Sequence, residues 1–162
     1  VTPLGKLAKL QYLQLDDNQI QKIDGLASLK ALQALYLSRN QIDSVAPLAE
    51  LPKVYAIYLE KNKLTDISPL KSLKWLERLD LKDNQLKDLS PLKDMTELKY
   101  TFLERNQIGD YGPLVEMAKK DTAGERRFAP YWKLYLAGNP VTDASKAQVA
   151  ELAKLGVRVQ AE

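Results

Sequence analysis

Every asparagine of the chain falls on one beat. Asn18, Asn40, Asn62, Asn84 and Asn106 follow one another at intervals of 22 residues, and the sixth, Asn139, comes 33 residues after Asn106. Prolines keep the same interval at Pro3, Pro47, Pro69, Pro91 and Pro113, with Gly25 on the beat between the first two. A fixed period of this length marks a stacked repeat, in which one short unit cannot bury its own apolar face and does so against its neighbours.

Leucine, 29 of the 162 residues, supplies most of the apolar positions inside each repeat. Aligned on the asparagine, the most regular copy reads LERLDLKDNQLKDLSPLKDM from Leu76 to Met95. Its inward positions, Leu76, Leu79, Leu81, Asn84, Leu86, Leu89 and Leu92, are spaced as one coil requires when the chain turns through a short strand, a bend and a return segment. A lone inward asparagine would be costly. In a stack, its amide can bond backbone groups at the bend of its own coil and the adjacent one, so all six asparagines are assigned to a structural ladder. Asn62 lies mid-stack and is expected to matter more than Asn139, taken as the ladder's end.

The pattern L-x-x-L-x-L-x-x-N-x-L-x-x-L-x-P-L resembles the leucine-rich repeat. The I-S-P-L of Ile67 to Leu70, echoed as L-S-P-L at Leu89 to Leu92, resembles in particular the 22-residue class of bacterial internalins and of a eukaryotic phosphatase regulator. The resemblance covers residues 1–117 and resumes over 128–141. It implies an α/β solenoid, curved, with a parallel sheet on its concave face, short helical or irregular segments on the convex face and a bacterial source.

The repeats are predicted to occupy residues 1–141, with an insertion at about 118–127 and a helical cap over 142–162. The insertion follows the helix-compatible PLVEMAKK run, which predicts a lengthened convex helix and then a loop at Gly124. Its Lys119, Lys120, Arg126 and Arg127 read as a solvated surface. In the cap, Thr142 or Asp143 is expected to start a helix that closes at Gly156, with Ala147, Val149, Ala150, Leu152 and Ala153 on its apolar face and Val157 and Val159 in a final edge strand. At the other end VTPLGKLAKL superposes on ISPLKSLKWL, so the chain opens inside a coil. An upstream cap or further repeats are therefore expected, and this edge is expected either to fray in a monomer or to pair weakly with a second copy.

Composition narrows the chemistry. With no cysteine and no histidine, the chain has no thiolate nucleophile, no imidazole base, no disulfide and no Cys/His zinc site. No Gly-rich phosphate loop, EF-hand spacing or nucleophile elbow occurs, so neither catalysis nor a cofactor nor a metal is expected. No apolar run is long enough for a membrane helix, and Lys plus Arg exceeds Asp plus Glu only 24 to 21. No asparagine opens an N-x-S/T sequon, and compartment stays undecided between bacterial export to the cell surface and the cytoplasm.

Alternation in a short strand turns the remaining positions onto the concave face. Four residues before each asparagine lie Gln14, Tyr36, Tyr58, Asp80 and Phe102, with Tyr135 in the corresponding place before Asn139; two residues earlier lie Tyr12, Ala34, Ala56, Arg78, Tyr100 and Lys133. Six of the ten tyrosines and phenylalanines thus gather where the fold needs none. The charges of this face balance, six acidic against six basic, unlike the one-sign stripe that tracks phosphates, so nucleic acid is not expected. Aromatics with arginine on a rigid surface have the composition of a protein-binding hot spot. The candidate contact set is Tyr12, Tyr36, Arg39, Tyr58, Glu60, Arg78, Asp80, Tyr100, Phe102 and Tyr135, and the expected function is a non-catalytic scaffold for a protein or peptide. The competing reading is a structural spacer in a larger protein, with the aromatics serving only as cross-strand pairs.

Overall fold

The computed structural model describes the backbone of residues 1–162 and every side chain except that of Thr2. Seven strands of three residues form one parallel sheet in chain order: β1 Tyr12–Gln14, β2 Ala34–Tyr36, β3 Ala56–Tyr58, β4 Arg78–Asp80, β5 Tyr100–Phe102, β6 Lys133–Tyr135 and β7 Arg158–Gln160. Six belong to repeats and the seventh, which contains Val159, pairs with β6 beyond the cap helix. Between strands the chain returns through one-turn 3-10 segments at Asp24–Ser28, Ala46–Glu50, Ser68–Ser72 and Ser90–Leu92. Proline opens three of these four, where its fixed φ suits the turn and its missing N–H costs nothing.

The middle residue of each repeat strand points inward: Leu13, Leu35, Ile57, Leu79, Thr101 and Leu134 are all buried and stack in register. Thr101 takes a seat that a leucine or isoleucine holds elsewhere, and its hydroxyl accepts the indole N–H of the buried Trp132 at 2.8 Å. That bond satisfies two polar groups which would otherwise be orphaned in the core.

The asparagines bond in one direction along the stack. Asn62 Nδ2 lies 3.1 Å from the Leu59 carbonyl of its own coil and 3.0 Å from the Leu37 carbonyl of the coil before, while its Oδ1 accepts the Ile42 N–H at 2.9 Å. Asn40, Asn84, Asn106 and Asn139 repeat this arrangement, each reaching back to the preceding coil. The expectation that Asn139 is the weak end is therefore corrected. It is buried and fully bonded, whereas Asn18 is exposed and donates only to Leu15 and Asp16 of its own bend.

Each asparagine is preceded by a residue in the left-handed region: Asp17, Arg39, Lys61, Asp83 and Arg105 at φ between 52° and 57°, and Gly138 at 74°. That turn swings the next side chain inward. Glycine is needed at the last position for a second reason, since a Cβ on Gly138 would sit 2.8 Å from Arg105 Cγ.

Between β5 and β6 the chain forms α1, Gly112–Ala123, which buries Leu114, Val115, Met117 and Ala118, and then a short 3-10 turn at Ala129–Tyr131. Asp121 then accepts the backbone N–H groups of Arg127 and Ala129, each at 2.9 Å, tying the end of the inserted segment to the start of the next coil. The cap helix α2, Asp143–Lys154, begins with a reciprocal box between Thr142 and Ser145. It docks through Ser145, Leu152 and the half-buried Gln148, Val149 and Leu155, while Ala147, Ala150 and Ala153 are exposed. This corrects the expected apolar face: Gln148 fixes the roll of the helix by accepting the Tyr111 N–H at 2.8 Å and donating to Asp110 at 2.6 Å.

Directional bonding orders the effects of removing asparagines. Asn62→Leu and Asn139→Leu should each destabilise by about 1–3 kcal/mol per orphaned buried backbone group, and Asn18→Leu by clearly less. Urea unfolding of the three variants checks this, and equal losses at Asn18 and Asn62 would contradict a ladder that bonds backward.

Candidate partner-binding face

The outward residues of the strands form two columns. Register places Gln14, Tyr36, Tyr58, Asp80, Phe102, Tyr135 and Gln160 side by side in one, and Tyr12, Ala34, Ala56, Arg78, Tyr100, Lys133 and Arg158 in the other. Tyr36 and Tyr58 stack with centroids 4.6 Å apart and planes 4° from parallel, and Phe102 and Tyr135 stack at 4.5 Å and 15°. In the second column Tyr100 takes a cation from each side, Arg78 at 4.8 Å and Lys133 at 5.1 Å from its ring centre. The nearby Tyr58 hydroxyl is the chief cause that raises the Arg78 pKa above its ordinary value.

Asp80 separates the two stacks. It lies on this face but is only 7% exposed, so it forms the floor of the gap and not a rim. Its carboxylate accepts the Lys82 N–H at 3.1 Å and pairs with the Lys82 ammonium at 3.4 Å. Burial nevertheless pushes its pKa above the ordinary carboxylate range, because lost hydration outweighs these contacts. Lys82 also approaches Glu60 at 3.9 Å, and Arg39 meets Glu60 from the other side at 3.6 Å.

Beside the columns, the left-handed positions carry charges that pair one coil apart. Arg39 clasps Asp17 through two bonds of 2.5 and 2.6 Å, and Arg105 clasps Asp83 through two of 2.6 Å. Each arginine holds its aspartate below the usual carboxylate range.

Of the residues expected on the face, Tyr36 meets Tyr58, Phe102 meets Tyr135, Arg78 meets Tyr100, and Arg39 meets Glu60. Tyr12, 57% exposed, stands apart at the β1 edge and reaches only Gln33, at 3.3 Å. Sequence reasoning missed Tyr55, whose hydroxyl the Tyr12 hydroxyl pushes up in pKa. Ala34 and Ala56, next to Tyr12 in its column, are both buried. Small residues at Ala34 and Ala56, in a column otherwise filled by large ones, were the signal that something lies above them.

The two kinds of aspartate have opposite linkage to pH. A raised native pKa means the folded state binds the proton more tightly, so Asp80 lowers stability as pH rises from the ordinary value of 3.8 through its folded value. A depressed one, as at Asp83, adds stability that is present above 3.8 and is lost as pH falls through the folded value. Asp80→Asn should thus be at least as stable as the parent at neutral pH, with the advantage fading on acidification, while Asp83→Asn should be less stable at neutral pH and converge on the parent in acid. Urea unfolding across that pH range tests both. A neutral-pH loss in Asp80→Asn would mean that the Lys82 pairing outweighs the burial of the charge.

Comparison with known proteins places this geometry. A family model described as leucine-rich repeats (2 copies) matches residues 8–50 and 56–94. Among solved structures, an internalin C2 of Listeria monocytogenes is 31% identical with a TM-score of 0.84, over 100% of this chain and 66% of that one. A second internalin of Listeria monocytogenes is 27% identical with a TM-score of 0.82, over 98% of this chain and 43% of that one. A leucine-rich repeat protein of Leptospira interrogans, 24% identical with a TM-score of 0.82, shares the fold over 97% of this chain and 38% of its own. The chain therefore spans less than two-thirds of these relatives. No curated protein matches it significantly. With half its length matched by the repeat model and the same coil running on through β6, the chain belongs to the leucine-rich repeat family.

Proposed function

We propose that this chain is a non-catalytic platform that binds a protein or peptide on its concave sheet. The observation that carries the reading is the pair of aromatic stacks, Tyr36 with Tyr58 and Phe102 with Tyr135, half-exposed on the outward side of the sheet. Solenoids of this kind use their extended concave surfaces for recognition. Hot spots are rich in tyrosine and arginine on rigid backbone, and here both lie on hydrogen-bonded strands and not on loops. The mixed charges around the stacks suit a folded partner, where opposite patches set register and specificity. They do not suit a phosphate backbone, which calls for one sign. Of the carboxylates of the face, Glu60, Asp80 and Asp83 are engaged by Arg39, Lys82 and Arg105 in ion pairs, and the chain has no imidazole or thiol to share in acid–base or nucleophilic work.

Binders selected from a displayed peptide library against the intact chain provide the test. Replacing Tyr36 and Tyr58 together by alanine should weaken such binders by about 2 kcal/mol or more, roughly 30-fold, while leaving the circular dichroism spectrum unchanged. Unchanged affinity in the double variant would remove the stacked tyrosines from the contact and favour the spacer reading.

A further inference from the structure

We infer that Glu104, beside the Phe102–Tyr135 stack, receives an arginine side chain of the partner protein. This deepens the proposed function and rests on it. Two residues after the central column, the same face carries Asp16, Ser38, Glu60, Lys82 and Glu104 on successive coils. The cations here are spent on one side. Lys82 lies 3.4 Å from Asp80 and 3.9 Å from Glu60, and Arg39 lies 3.6 Å from Glu60. Arg105, next to Glu104 in the chain, is committed to Asp83 by its two bonds.

Glu104 is left over. Among the described residues it makes no ion pair, and its Oε2 is shielded from solvent yet accepts no hydrogen bond. An oxygen in that condition gains from a donor that reaches it. The neighbouring side chains favour a cationic donor. Phe102 precedes Glu104 by two residues on the same face, and the Lys82 ammonium already sits 5.4 Å from its ring centre while pairing with Asp80. The chain thus shows, within itself, a cation held between this aromatic ring and a carboxylate. Glu104, two residues further along the same face, has no such cation paired with it.

The other end of the face excludes the same guest. Tyr100 is already flanked by Arg78 and Lys133, with Arg158 next in that column, so an incoming cation is repelled there and drawn towards Glu104. A bound metal does not fit the requirement, since among the described residues no three carboxylates converge closely enough to hold one. Arginine fits better than lysine because its planar guanidinium presents paired N–H groups that match the two oxygens of a carboxylate.

The test uses alanine pentapeptides with arginine, lysine, citrulline or glutamate at the centre, titrated into the isotope-labelled full chain and read by NMR from the backbone amides of residues 100–105. The arginine peptide should shift these amides and bind about fivefold more tightly than its neutral citrulline counterpart, with lysine between them and glutamate weakest. The isosteric Glu104→Gln variant, its spectrum otherwise unchanged, should erase the arginine preference and leave citrulline binding as it was. Equal binding of arginine and citrulline, or a preference that survives Glu104→Gln, would overturn the assignment while leaving the concave face a peptide-binding surface. If no peptide of the set shifts amides 100–105, the Glu104 site is refuted, and the wider reading is judged separately by the Tyr36 and Tyr58 variants.

Discussion

The stack is held together by an asparagine that completes both its own coil and the one before it. A three-residue strand followed at once by a bend leaves backbone donors and acceptors that a leucine core cannot satisfy. In each interior coil one amide satisfies both kinds. Asn84 Nδ2 takes the Leu59 carbonyl of the preceding coil and the Leu81 carbonyl of its own, and its Oδ1 takes the Leu64 N–H. The left-handed residue ahead of it aims the side chain inward, at a conformational cost of roughly 1–2 kcal/mol for an L-residue. Three hydrogen bonds at about 1 kcal/mol net each, on groups that would otherwise be buried unpaired, outweigh that cost. Because the bonds run backward, every coil presupposes its predecessor, which makes the solenoid a one-dimensional chain of nearest-neighbour dependences.

The same constraint explains what could be read from the sequence. Inward seats in a coil allow almost no variation, so period, fold and strand positions were legible from leucine and asparagine alone. The sense of the ladder was not, because spacing has no direction, and Asn139 looked like an end when the exposed end is Asn18. The roll of α2 was hidden by alanine, which suits either face of a helix, and was decided by the polar Gln148. The last repeat was also obscured. Its inward aromatic, Trp132, stands one residue later in the coil than Leu98 does, which leaves Tyr131 65% exposed in the place that Leu98 fills before β5. Thr101 in a leucine seat is intelligible only once the indole N–H opposite it is seen.

The concave residues are free of these constraints, which is why their positions were legible and their contacts were not. An outward side chain on a three-residue strand meets only its neighbours in the adjacent coils, so its identity can change without disturbing the core. The spacing of the rings is then set by the backbone: centroids at 4.6 and 4.5 Å match the roughly 4.7–4.9 Å between hydrogen-bonded strands. The sheet, more than the rings' own attraction, holds them face to face.

Rings fixed in this way have already lost the rotational freedom that a binding surface ordinarily loses on contact, and affinity gains by whatever need not be lost again. In the proposed binding role Asp80 would add selectivity. By placing a buried, partly compensated charge between the two stacks it divides the face into two apolar ridges with a polar gap one strand wide, floored by Asp80 and roofed on one side by Lys82. A flat apolar partner covering both ridges would have to strip water from that gap without replacing its hydrogen bonds, at a cost comparable to what the rings contribute. A partner that puts a polar group into the gap avoids the cost. If the face binds as proposed, it would therefore discriminate less by the area it offers than by what it refuses to have buried against its centre.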